Sequence, residues 1–180
     1  VLKRQVGAVK AVDGVTLSIR EGETLGVVGE SGSGKSTLGM ALLRLVASEG
    51  PIVYLDQNID GFEPKQMVPL RREMQVVFQD PFSSLSPRMS VSEIIGEGLR
   101  IHAEDLSDEA AEQQVIDALQ VVGLDPSARH RFPHEFSGGQ RQRTALGRAL
   151  LMRCPVLVLD DALASVDNNT AAEILTSVRR

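Results

Sequence analysis

Apolar and polar positions alternate along Val15-Thr16-Leu17-Ser18-Ile19 with the period of a half-buried strand. The polar turn Arg20-Glu21-Gly22-Glu23 then leads into Thr24-Leu25-Gly26-Val27-Val28, a more continuous apolar run of the kind that fills the middle of a sheet. From Thr37 to Val46 the spacing becomes helical, with Leu38, Leu42 and Leu45 on one face and a stop near Gly50-Pro51. Ile52-Val53-Tyr54-Leu55 and Gln75-Val76-Val77-Phe78 predict further strands, joined by a polar connection that contains Gly61 and Pro64.

From Asp80 to about Phe136 strand-like runs give way to Pro81, Pro87 and two amphipathic helices, which predicts a helical lobe. The first helix starts with Ser90 or Ser92 as cap and carries Val91, Ile94, Ile95 and Leu99. The second starts at Ser107, carries Ala111, Val115, Ala118, Leu119 and Val122, and ends at Gly123. Ser137 caps a further helix that runs to Leu150 or Leu151, and Pro155 precedes the buried-type strand Val156-Leu157-Val158-Leu159. The pattern is α/β, with three segments: 1–79, 80–136 for the helical lobe, and 137–180.

Composition narrows the chemistry. The net charge of −5 argues against a nucleic-acid surface, and the basic pair Arg71-Arg72 and the group Arg141, Arg143 and Arg148 are expected to be solvated helix faces. The lone cysteine, Cys154, lies beside an apolar strand, where a buried, inert thiol is expected and a reducing compartment fits. No stretch reaches the roughly 20 apolar residues that cross a bilayer, so a membrane role is expected to come through a partner. The chain begins at Val1 without a methionine, which suggests an excised segment.

Between the second apolar run and the first helical pattern lies Gly29-Glu30-Ser31-Gly32-Ser33-Gly34-Lys35-Ser36-Thr37, which fits G-x-x-x-x-G-K-[ST]. Glycines at 29, 32 and 34 let the backbone approach a polyphosphate, so that loop N–H groups and the following helix N-terminus face the anion. Lys35 supplies a mobile positive charge for the β- and γ-phosphates, and the Ser36 hydroxyl is placed to hold Mg²⁺. The bland alternative is a Gly/Ser turn between strand and helix. The position between a strand and a helix favours a nucleoside triphosphate.

Glu135-Phe136-Ser137-Gly138-Gly139-Gln140-Arg141-Gln142-Arg143 resembles the signature of ATP-binding cassette (ABC) ATPases, with Phe136 in place of a leucine. Phe78-Gln79-Asp80-Pro81 resembles that family's Q-loop, and Val156 to Asp161 its Walker B strand. The resemblance implies a P-loop NTPase sandwich with a central, mostly parallel sheet, N-terminal antiparallel strands and an inserted helical subdomain. It implies ATP and Mg²⁺ as ligands, with Ser36, Gln79 and Asp160 at the metal and Asp161 and Gln79 acting on the attacking water. Ser137, Gly138, Gly139 and Gln140 would meet ATP held by a second cassette in a head-to-tail pair, with Ser165-Val166-Asp167 as the D-loop at that interface. The alternative for Ser137 is a plain helix cap. The implied partners are that second cassette and transmembrane subunits, with the chain cytoplasmic and peripheral to the inner membrane. Val9 to Val15 and Phe78 to Arg88 look like the ATPase subunits of bacterial oligopeptide and dipeptide importers.

Four departures from the family pattern modify these expectations. From Thr144 onward, Val158 to Asp167 is more similar to exporter cassettes, which predicts a mosaic with a junction near Arg143. Asp161 stands where the family places a glutamate, which predicts slow hydrolysis. The switch histidine belongs on a strand beyond Walker B, and His102, His130 and His134 all come earlier. No Phe, Tyr or Trp precedes Tyr54, which predicts loose adenine binding. The alternative reading is a truncated or engineered module that binds ATP without turnover.

Overall fold

A helix does form after the glycine-rich loop, over Lys35–Leu42 (α1). The computed structural model describes residues 10–80, 84–103, 105–164 and 166–178. It divides the chain into two compact units, Val1–Phe62 and Glu63–Arg180.

In the first unit, α1 is shorter than the predicted Thr37–Val46. Arg44 takes φ +54, and the N–H groups of Arg44 and Leu45 donate to the carbonyls of Ala41 and Met40 at 2.9 and 2.8 Å. That is a Schellman closure with arginine at the position usually given to glycine, and it turns Leu45 away from the helix face. The predicted strand at 52–55 is the first arm of a hairpin, Val53–Tyr54 (β1) paired antiparallel with Gln57–Asn58 (β2). Its two turn residues, Leu55 and Asp56, have φ of +46 and +62, the handedness of a tight hairpin turn without its usual glycine. Leu43 and Ile59 are buried. The predicted strands 15–19 and 24–28 carry no strand pairing among the described residues, although Arg20–Glu23 does form the turn between them, with Glu23 N–H on Arg20 O at 3.0 Å. Apolar periodicity favours an extended chain, but a ladder needs a hydrogen-bonded neighbour as well. Val28 accordingly remains 94% exposed.

The second unit begins with Pro64–Met67 (α2) and a 3₁₀ turn at Pro69–Arg72, which lead into Met74–Val77 (β3). β3 pairs in parallel with Val156–Leu159 (β4), Met74 opposite Val156 and Val77 opposite Leu159. Between them lie Val91–Ile95 (α3), Glu97–His102 (α4), Asp108–Val121 (α5) and Gly138–Leu151 (α6); Asn168–Val178 (α7) follows β4. The caps are those the sequence signals: the Ser90, Ser107 and Ser137 hydroxyls accept from the N–H of Glu93, Ala110 and Gln140, each at 3.3 Å. The first predicted helix is divided at Gly96 into α3 and α4. α5 ends at Gly123, φ +67, in a second Schellman closure.

One core joins α3, α5, α6, α7 and the end of β3: Ile95, Leu119, Val122, Leu146 and Ile174 are fully buried. Each such side chain contributes roughly 1.5–3 kcal/mol by leaving water. Cys154 is half-buried, and burial pushes its thiol pKa up, in keeping with an inert role.

Candidate functional site

In the first unit the predicted phosphate-loop residues Gly29 to Thr37 form one loop and helix start. The Ser33 N–H closes a turn on Glu30 O at 3.2 Å. Gly34 sits at φ +93, and a Cβ there would stand 2.1 Å from the Ala11 carbonyl oxygen, so both the conformation and the space require glycine. Lys35 Nζ donates to the carbonyls of Gly29 and Glu30 at 2.9 and 2.7 Å and to Ser33 Oγ at 3.5 Å. The loop thus wraps its own ammonium with neutral acceptors, and none of these partners is a carboxylate. Among the described residues no carboxylate pairs with this ammonium. Gly34 offers no side chain to cap α1, whose first turn holds no acidic residue, whereas α3, α5 and α6 are capped by serine oxygens. Backbone N–H groups, a helix dipole and a lysine held on neutral acceptors together suit a polyphosphate.

In the second unit the parallel pairing puts the carboxyl ends of β3 and β4 side by side. The Asp160 N–H continues the ladder to Val77 O at 2.9 Å. Gln79 and Asp161, 82 residues apart in the chain, then meet: Gln79 Nε2 donates to Asp161 Oδ2 at 3.4 Å. Asp161 holds φ +51, a conformation that aspartate tolerates better than most residues. With the Gln79 amide nitrogen turned to Asp161, its oxygen is the atom that would face a cation. Within this unit the Gln79 amide oxygen and the Asp160 carboxylate are oxygen ligands of the type that suits Mg²⁺. No group of three or more His, Cys, Asp or Glu side chains arranged for a metal occurs among the described residues.

The signature segment forms the N-terminus of α6. Ser137 and Gln140 cap each other reciprocally: Ser137 N–H donates to Gln140 Oε1 at 3.0 Å, and Gln140 N–H donates to Ser137 Oγ at 3.3 Å. The cap reading of Ser137 is thus realised, and Ser137 and Gly138 are exposed at its tip, where a Cβ on Gly138 would meet nothing within 4 Å. Phe136, in the leucine position, is buried in the core with the Arg131 guanidinium 4.8 Å from its ring centroid. In the D-loop segment Val166 N–H donates to Leu163 O at 3.0 Å, and Asp167 Oδ1 accepts from Thr170 N–H at 3.0 Å. Ser165, Pro81, Phe82, Ser83 and Val9, each part of a predicted motif, lie outside the described residues.

The expectation that Arg141, Arg143 and Arg148 form a solvated face does not hold for Arg141 and Arg148, whose bonds are partly buried, while that of Arg143 is exposed. Arg141 Nε donates to Pro133 O at 2.7 Å, Arg143 Nη1 to Gly123 O at 2.9 Å and Arg148 Nη1 to Ser84 O at 3.0 Å. Burial lowers the Arg148 pKa while Glu97 opposes that shift, and burial likewise lowers that of Arg71. The guanidinium groups of Arg141, Arg143 and Arg148 reach backbone carbonyls, which charge patterning alone does not reveal. Gln142, to which the signature resemblance assigns no role, is buried, and its Nε2 donates to Phe78 O at 3.4 Å.

This chain is similar to known proteins both in sequence and in fold. The family profile described as "ABC transporter" matches residues 12–164. The chain is 51% identical over 178 residues to the peptidoglycan transport ATP-binding protein YejF of Agrobacterium fabrum, covering 99% of this chain and 33% of that protein. It is 42% identical over 175 residues to the oligopeptide transport ATP-binding protein OppF of Bacillus subtilis, covering 96% of this chain and 57% of that protein. The chain thus spans about a third to somewhat over half the length of these relatives. Among solved structures, the dimeric post-hydrolysis state of the ATP-binding cassette MJ0796, bound to ADP and Pi, superposes with a TM-score of 0.86 at 27% identity, covering 93% of this chain and 73% of that one. That likeness gives the α/β cassette fold expected from the sequence. The predicted junction near Arg143 finds no support, because one relative aligns across 99% of the chain.

Proposed function

We propose that this chain, which belongs to the ABC transporter family, is an ATP-binding cassette that binds ATP with Mg²⁺, hydrolyses it slowly and drives transport of peptides or similar solutes. Its partners are a second cassette, paired head to tail, and transmembrane subunits that hold it at the cytoplasmic side of the inner membrane. No described helix is long and apolar enough to cross a membrane. The segments 1–79, 80–136 and 137–180 serve as ATP-binding core, helical subdomain, and signature helix with Walker B and D-loop.

The observation that carries this reading is the Lys35 ammonium held on three neutral acceptors in a loop where Gly34 admits no side chain. Phosphate oxygens are assigned to the N–H groups of Gly29 to Thr37 and to Lys35. Ser36, Gln79 and Asp160 are assigned to Mg²⁺, which when bound neutralises developing charge on the phosphates. Asp161 takes the proton of the attacking water, and its bond from Gln79 fixes the carboxylate's direction. Ser137, Gly138, Gly139 and Gln140 are assigned to the ATP of the partner cassette, a role the exposed tip of α6 suits. The contact between Gln79 and Asp161 favours turnover over a module that only binds. The peptide-like solute is inferred from what the relatives are said to transport, peptidoglycan and oligopeptides.

Isothermal titration with ATP and Mg²⁺ tests the reading. Saturable heat is expected from the chain and none from Lys35→Ala. Equal heats from both proteins would remove the assignment.

A further inference from the structure

Two polar side chains of α6 reach across to the backbone that leaves β3. Gln142 is only 3% exposed, and its Nε2 donates to the Phe78 carbonyl, the residue before Gln79. Arg148, farther along the same helix, donates from Nη1 to the Ser84 carbonyl at 3.0 Å, on the other side of Gln79. Both bonds join residues 64 positions apart, so chain and helix stay in step at the two points. A buried amide is costly to desolvate, and an apolar side chain of the same size would pack there without that cost. The acceptors are backbone carbonyls, which fix where the main chain lies whatever its side chains are.

We propose that Gln142 and Arg148 are positioning residues: they clamp the main chain on both sides of Gln79 to α6, so that the aim of Gln79 at Asp161 follows the signature helix. This rests on the roles given above to Gln79 and Asp161. α6 begins at the exposed Ser137 and Gly138, the tip assigned to the partner's ATP, and ends in the residues that lead to β4 and Asp161. One rigid helix therefore carries the signature tip and both clamps, and a shift of α6 moves the backbone of Phe78 with it. The coupling uses two hydrogen bonds and a helix packed through fully buried Leu146.

The test compares Gln142→Leu, Arg148→Met and Arg148→Lys in the full chain, alone and in a Gln79→Ala background, by single-turnover hydrolysis and by ATP affinity. Loss of one bond is expected to lower kcat about tenfold in Gln142→Leu and Arg148→Met while ATP affinity stays within about twofold. Arg148→Lys, which keeps a donor, should recover most of the rate. In the Gln79→Ala background the clamp variants should add no further loss, because they act through Gln79. An unchanged kcat, or a loss that adds fully to that of Gln79→Ala, overturns the clamp. A Gln79→Ala protein that hydrolyses at the parent rate overturns instead the role given to Gln79. Amide exchange then judges the clamp without activity: Gln79 and Asp80 should exchange faster in Gln142→Leu while α5 is unaffected, and equal rates at both sites in parent and variant overturn it.

Discussion

Replacing Asp161 by glutamate is expected to accelerate ATP hydrolysis. In the present structure the Gln79 amide stands 3.4 Å from Asp161 Oδ2, long against the 2.7–2.9 Å usual for a bond to a charged oxygen. One added methylene carries the carboxylate forward by about 1.5 Å, more than the shortfall. Misplacement of a catalytic group by about 1 Å can cost on the order of 10²-fold, so Asp161→Glu should raise kcat by up to that factor, or about 2.7 kcal/mol of barrier. The same change carries a structural penalty. Asp161 sits at φ +51, where aspartate is tolerated and glutamate is not favoured, so stability should fall by about 1 kcal/mol and the melting temperature by a few degrees. Single-turnover hydrolysis and thermal unfolding, measured on parent and Asp161→Glu with Lys35→Ala as a separate non-binding control, separate the two effects. A variant that binds ATP as the parent does yet hydrolyses no faster would refute the argument that the short carboxylate limits the reaction.

Gly34→Ala should abolish ATP binding in a titration, since its methyl would drive into the Ala11 carbonyl, and should also lower the urea midpoint through roughly 1–2 kcal/mol of left-handed strain. Acid should weaken the second unit through three carboxylates. Glu93 is held below its ordinary pKa by the Ser90 backbone and side chain, Asp125 by the Ser127 side chain and backbone, and Asp167 by the Thr170 backbone and side chain. Their folded-state values lie under the unfolded ones, so their contribution is complete above about pH 4–5 and is lost as pH falls through the lowered values. Urea midpoints taken down the pH scale should therefore drop less steeply in a combined Glu93→Gln, Asp125→Asn, Asp167→Asn protein; parallel slopes would contradict this.

The parts of the fold that announce themselves in sequence are those whose ends carry their own chemistry. Ser107 and Gly123 bound α5, Ser137 opens α6, and Val156 to Leu159 is a strand with the limits its apolar run indicates. The glycine-rich loop is legible for the same reason, because only glycine fits at Gly34. Where an unusual residue does the work, the signal disappears: Arg44 closes α1 and Leu55-Asp56 turns the hairpin, each with positive φ and none a glycine. Periodicity at 15–28 records apolar faces but not whether a neighbour supplies a ladder. The meeting of Gln79 with Asp161 follows from two recognised motifs. The tethers from Gln142 and Arg148 do not, because a backbone carbonyl leaves no trace in the residue that offers it.

The hairpin has one more consequence, and it is optical. The chain has no tryptophan and a single tyrosine, Tyr54, which lies in β1 of the first unit. Near-ultraviolet emission excited at the tyrosine band therefore watches the first unit alone, while far-ultraviolet circular dichroism is dominated by the helices of the second, α5 and α6 above all. One denaturation experiment read in both channels thus reports on each unit by name. Coincident curves would mark a single cooperative transition, and separated curves would give the order in which the phosphate loop's unit and the signature helix's unit come apart.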